Sequence, residues 1–237
     1  THFKVSGSSF ALLLAALGSP IGKKAAQDFG LPFFLNKAPL WQKRLFLAAF
    51  FGAELSSPST LKEHPQNFYA PMLSLNKHIG FVESGQQFLK DISKMLAEFG
   101  VTTRKISKRQ GYESVTGERS QSLRLILSGK SESLIALWSR IGFEYNRQRS
   151  YLANSAVHYL IYKEQALEAR LEAIQEIENV QAASAGTGAK TILAVLGRND
   201  INRRFVERTL YGNRKTGVRV PEGFPSFDEY RQKVTQG

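Results

Sequence analysis

The sequence contains no cysteine. Disulfides, thiolate metal sites and cysteine nucleophiles are therefore excluded, and a reducing, cytoplasmic compartment is the natural expectation. Long apolar runs are also missing. The longest, Phe10 to Leu17, falls far short of the roughly 20 residues that cross a bilayer. No basic leader precedes it, so neither a membrane span nor a signal peptide is expected. Histidine is scarce and scattered (His2, His64, His78, His158). No pair has metal-ligand spacing, and each reads as a structural side chain.

Acidic residues are in short supply. Asp and Glu number 20 against 32 Lys and Arg, a net charge of +12. An excess of this size favours a polyanionic partner, because each phosphate contact releases condensed counterions. The surplus is uneven. Residues 101–150 hold ten basic and four acidic residues, and 201–237 hold eight and four, whereas 164–178 is acid-rich. Two basic regions separated by an acidic helix suggest two contact surfaces joined by a spacer.

Hydrophobic residues make up 42% of the chain, enough for a core. Their spacing predicts a helix over 8–17, capped by Ser8 or Ser9, with Phe10, Leu13, Leu14 and Leu17 on one face. Residues 30–40 read as a connector around Pro32 and Pro39. A helix follows over 39–54, stopped by Ser56, Ser57 and Pro58. Residues 68–77 read as a half-buried strand with Leu73 and Leu75 inward and Ser74 and Asn76 outward. Residues 84–99 form an amphipathic helix through Phe88, Ile92, Met95, Leu96 and Phe99, with Ser84 as N-cap and Gly100 as stop. Strands are expected at 102–109 and 121–128, around a loop with Gly111 and Gly117. Helices are expected at 131–141 and 150–180, and 182–188 reads as a small-residue hinge. From 39 to 141 the order is helix, strand pair, helix, strand pair, helix. That order implies an α+β fold, with one antiparallel sheet covered by helices on one face only.

The segment Leu47-Ala48-Ala49-Phe50-Phe51-Gly52-Ala53-Glu54-Leu55 places small residues four apart (Ala48 and Gly52, Ala49 and Ala53). A stripe of this kind lets a second helix approach closely. A carboxylate stands at its tip. Two such helices side by side would bring two carboxylates together, an arrangement that a divalent cation relieves.

These nine residues resemble the motif that names the LAGLIDADG homing endonucleases. Leu47, Ala48 and Ala53 match, Ala49 stands for glycine, and Glu54 falls on the acid. Gly52 and Leu55 depart from the pattern. Upstream, the leucine-rich stretch 12–17, Leu17-Gly18, Gly22-Lys23 and Leu31-Pro32 are similar to the approach to the second motif in archaeal intein endonucleases. The resemblance implies an αββαββα repeat over 39–160, after the end of a preceding repeat over 1–38. A helical spacer over 161–186 and a helix-turn-helix-like module over 187–237 would complete the chain. It further implies metal-assisted hydrolysis of double-stranded DNA with Mg²⁺ on Glu54. Asn76 would position water, and Arg147 or Arg149 would stabilise the phosphorane. Only one good motif copy is present, since Leu14 to Gly22 carries Ile21 at the acid position and a helix-breaking Pro20. The site would therefore be completed by a homodimer through helix 43–54 or by a repeat preceding Thr1. If neither occurs, the nuclease is dead and the chain is a DNA-binding protein that reuses the fold. With no Cys and no His-Asn terminus, protein splicing is not expected.

Strand parity nominates Ser74, Ser122 and Arg124 for DNA contact, with Asn76 on the same face. Arg104 and Lys108 are chosen over Lys105 and Arg109 in the strand at 102–109. In the tail, a helix over 187–196, a turn at Gly197 and a helix capped by Asn199 or Asp200 resemble a helix-turn-helix. Arg203, Arg204 and Arg208 lie on its second helix, Ile201, Phe205 and Leu210 would pack it, and Arg214, Lys215 and Arg219 follow. RNA binding is a third class, to be separated from the others by comparing duplex DNA with structured RNA at fixed salt.

Overall fold

The computed structural model describes residues 7–109, 111, 113, 119–212 and 218–236. Gly117, Arg214 and Lys215 lie outside them. The chain divides into two compact units, Thr1–Val157 and His158–Gly237. The N-terminal segment therefore belongs with the first unit, and residues 161–186 belong with the second. No described helix is long and apolar enough to cross a membrane.

The first unit is α+β. Its helices are α1 (Ser8–Ala16), α2 (Leu40–Glu54), α3 (Val82–Ala97) and α4 (Ser131–Ala136). A π-helical turn, Leu137–Ile141, continues α4. The strands are β1 (Met72–His78), β2 (Ser107–Arg109) and β3 (Ser120–Ile126). They form one antiparallel sheet in the order β1-β3-β2. The first expected strand pair is a single strand: the segment before β1 makes only isolated bridges, Leu55 to Leu73 and Thr60 to Phe68. Pro58 and Pro65 remove ladder donors there, which shortens any pairing.

Helix α3 forms where its apolar period predicts. Phe88, Leu89, Ile92, Met95 and Leu96 are buried against Leu73, Leu123 and Leu125, and Gly100 at φ +78 ends the turn after the helix. Its N-cap is Phe81, not Ser84. The Ser84 hydroxyl instead bridges the backbone of Phe29, accepting from its N–H at 3.1 Å and donating to its carbonyl at 3.2 Å. Helix α1 also departs from expectation. Gly7 caps it without a side-chain bond, and none of its residues is buried.

The second unit begins within α5 (Arg147–Ala183) and contains α6 (Ala189–Leu196), α7 (Arg203–Tyr211) and α8 (Phe227–Gln236). Ala173, Ile177, Ala189, Ile192, Ile201 and Val206 form its core, with Phe205 and Leu210 packed against them. Gly197 takes the left-handed conformation (φ +59) that closes α6. The cap of α7 is Asn202, whose side chain accepts from the Phe205 N–H at 2.9 Å, rather than Asn199 or Asp200. The Tyr159 hydroxyl donates to the Pro225 carbonyl at 2.8 Å, and burial raises its pKa.

Candidate nucleic-acid interface

The sheet of the first unit separates two chemistries by parity. Leu73, Leu75 and Lys77 point toward α3, as do Leu123 and Leu125 across the ladder. The other face carries Ser74 paired with Arg124, which is paired in turn with Ser107. The next row is Asn76, Ser122 and Arg109. Directly opposed residues on one face lie close enough to act on a common ligand. Among the described residues, no strand contributes an acidic side chain. Ser74, Asn76 and Arg109 are exposed, and the buried Nε of Arg124 has no hydrogen-bond partner.

The register corrects one choice made from parity alone. Lys108 lies opposite Leu123, on the core-facing side, whereas Arg109 lies opposite Ser122 on the polar side. Thr103 bridges Leu127 while Ser107 pairs with Arg124. The pairing therefore slips by one residue between them, and an intervening slip of this kind reverses faces. Arg104 precedes the slip and donates its backbone N–H to Ile126 at 2.7 Å.

Lys77 escaped the sequence reading, although its odd number places it on the face of Leu73 and Leu75. It is fully buried. Its ammonium donates to the Lys24 carbonyl at 2.9 Å and to that of Gln27, and it sits 4.0 Å over the Phe29 ring. Burial holds its pKa below the ordinary lysine value, against a smaller opposing pull from Asp28. Gly85 makes room for it, since a Cβ there would collide with Lys77 Cγ and Leu123 Cδ1.

Part of the small-residue stripe of α2, Ala48 and Gly52, lies against a segment of the same chain. Glu144 N–H donates to Ala48 at 2.9 Å, and a Cβ on Gly52 would overlap the Glu144 carbonyl oxygen. Asn146 Nδ2 donates to the Gly52 carbonyl at 3.0 Å, while its Oδ1 accepts from Arg149 N–H at 3.1 Å. One side chain thus joins the end of α2 to the start of α5. Arg149 Nη1 donates to the carbonyls of Phe51 and Gly52 at 3.0 and 3.2 Å. A cation suits the negative end of a helix, so Nη1 of this guanidinium caps α2. Arg147, the first residue of α5, is exposed.

Glu54 is exposed at the end of α2 and borders a cavity of about 370 Å³. Phe29, Phe34, Phe46, Phe50, Leu73 and Phe88 line much of that cavity, and Lys24 is its other charged residue. Among the described residues no three His, Asp or Glu gather where they could hold a metal. Magnesium requires a near-octahedral oxygen set, and this aromatic surrounding does not fit one.

In the second unit, Arg203 pairs with Glu207 at 2.7 Å. Arg204 and Arg208 are exposed and border a hollow with Arg170 and Arg219.

Among proteins of known name, the chain is 34% identical to the tRNA-splicing ligase RtcB of Pyrococcus furiosus over 232 residues, 98% of this chain and 22% of that protein. It is 32% identical to the DNA-directed RNA polymerase subunit Rpo1N of Methanocaldococcus jannaschii over 177 residues, 75% of this chain and 12% of the subunit. It is also 24% identical to the replication factor C small subunit of that organism over 235 residues, 98% of this chain and 12% of the other. The chain therefore spans about a fifth of the ligase it matches. No family model and no solved structure matches it. These findings correct the reading drawn from the nonapeptide. The relatives carry names of RNA joining, transcription and replication, and none carries that of a LAGLIDADG homing endonuclease. The expected nuclease activity, its double-stranded DNA partner and the alternative of an inactive DNA-binding relative do not stand. A nine-residue match on an Ala/Phe-rich helix is reproduced by ordinary core packing, and here Leu47, Ala48 and Phe51 are simply buried.

Proposed function

We propose that this chain is one segment of a longer polypeptide and that it supplies a surface for an RNA backbone, not the bond-joining chemistry of the ligase it resembles. The observation that carries this reading is the open sheet face. Arg124 and Arg109 stand there among Ser74, Asn76, Ser107 and Ser122, on three strands without a carboxylate. Hydroxyls, amides and guanidiniums are the groups that bind phosphate oxygens and sugar hydroxyls. Similarity to parts of proteins with three different names supports a grip on nucleic acid. An activity belonging to one of those names would have no reason to recur in the other two. RNA is favoured because the ligase is named for tRNA splicing and the polymerase subunit for RNA synthesis.

The test is anisotropy titration of a labelled tRNA transcript with the 237-residue chain across a salt series. Log affinity is expected to fall linearly with log salt, and Arg109→Gln and Arg124→Gln should each make the slope shallower by about one. Binding that ignores salt, or that both variants leave unchanged, would refute the surface. Tighter binding to duplex DNA of equal length would refute the choice of RNA.

A further inference from the structure

The second unit has a concave site beside α7. Arg170 of α5, Arg204 and Arg208 of α7, and Arg219 border a hollow of about 410 Å³, together with Asn199, Asn202 and Glu222. The nearby carboxylate of Asp200 is already taken. Arg198 grips it through Nε at 2.9 Å and Nη2 at 2.7 Å, which holds its pKa below the usual carboxylate value. Four guanidiniums thus share the hollow with two carboxylates, Asp200, which Arg198 holds, and Glu222. Among the described residues no carboxylate pairs with Arg204, Arg208 or Arg219.

Arg170 is the anchor. Its guanidinium carbon lies 4.1 Å from the centre of the Phe205 ring, which fixes the plane of the fork. Its Nε is buried and has no hydrogen-bond partner. Burial disfavours the charge on Arg170; Asp200 partly offsets this, and Arg208 opposes the charge to a smaller degree. A fixed guanidinium fork matches tetrahedral phosphate oxygens in pairs, which a lysine cluster would not do.

We propose that this hollow binds a phosphate group among the guanidiniums of Arg170, Arg204, Arg208 and Arg219. The inference deepens the RNA-binding reading by adding a phosphate contact in the second unit, and it rests on that reading only for the source of the phosphate.

The experiment follows the arginine Nε–H resonances of the full chain by NMR. Inorganic phosphate is titrated first and a short RNA hairpin second, both at low salt. The Arg170 signal should shift saturably with each probe. Arg208→Gln, at an exposed position that the fold tolerates, should weaken phosphate binding about tenfold or more. Lys62→Gln, at an exposed position of the first unit, should leave the Arg170 phosphate titration unchanged. An Arg170 signal that neither probe moves, or an Arg208→Gln affinity equal to the parent's, overturns the site. If the hairpin still binds while Arg170 stays silent, this site fails and the sheet surface stands. If phosphate saturates Arg170 but no RNA binds, the site stands and the RNA reading fails.

Discussion

Replacing Gly52 by alanine tests the packing that sets the end of α2. In an unobstructed helix the change would stabilise by about 0.5–1 kcal/mol, because glycine loses more backbone freedom on folding. Here the added methyl meets the Glu144 carbonyl oxygen, which is backbone and cannot swing aside. The two segments must separate, and overpacking of this kind costs about 1–3 kcal/mol. Separation also stretches the bonds from Asn146 and Arg149 to the Gly52 carbonyl, worth about 1 kcal/mol each. The clash outweighs the helix gain, so Gly52→Ala should destabilise the first unit by about 1–3 kcal/mol. Urea unfolding followed by tryptophan fluorescence reads this directly. Trp138 is buried in the turn just before the affected segment, while Trp41 is 61% exposed. With a urea dependence of about 1–3 kcal/mol per molar, the midpoint should fall by about 1 M. Ala53→Gly, at the next residue but exposed, should cost about 0.5–1 kcal/mol by propensity alone. A Gly52→Ala protein at least as stable as the parent would show that the backbone of Glu144 does not lie against α2.

Two further changes probe the same unit. Lys77→Met leaves the Lys24 and Gln27 carbonyls without their shared donor and should cost about 1–3 kcal/mol. The parent's folded lysine has a pKa below its unfolded value. The unfolded chain therefore binds more protons between the two, and stability should rise with pH through that window up to about 10.5. The parent-minus-variant difference in unfolding free energy measured against pH checks it, and a flat difference would refute the burial argument. Asn146→Ala removes both a helix cap and the bond to Gly52. It should lower stability by about 1–2 kcal/mol, read by the same fluorescence melt, with Asn146→Asp recovering only the cap.

The amphipathic run of α3, the stop at Gly100 and the alternation of Leu123, Leu125 and Leu127 were legible because periodicity and glycine conformations are local properties. The polar face holding Ser74, Asn76, Ser122 and Arg124 follows from the same alternation. The choice between Lys108 and Arg109 does not, since a one-residue slip before β2 has no signature in the strand itself. Asn146 carried a readable sign, an amide just ahead of a long helix, but its second bond to Gly52 joins residues 94 apart. Arg149 reads as a free cation until the end of α2 is placed beside it.

Composition and period by themselves determined a basic, cysteine-free α+β chain with an amphipathic helix against a small sheet. Only the tertiary structure decided what the small residues of α2 accommodate, which arginines are occupied, and that Lys77 lies inside. Those outcomes depend on which distant backbone carbonyl or carboxylate arrives beside each side chain, and chain distance carries no record of that.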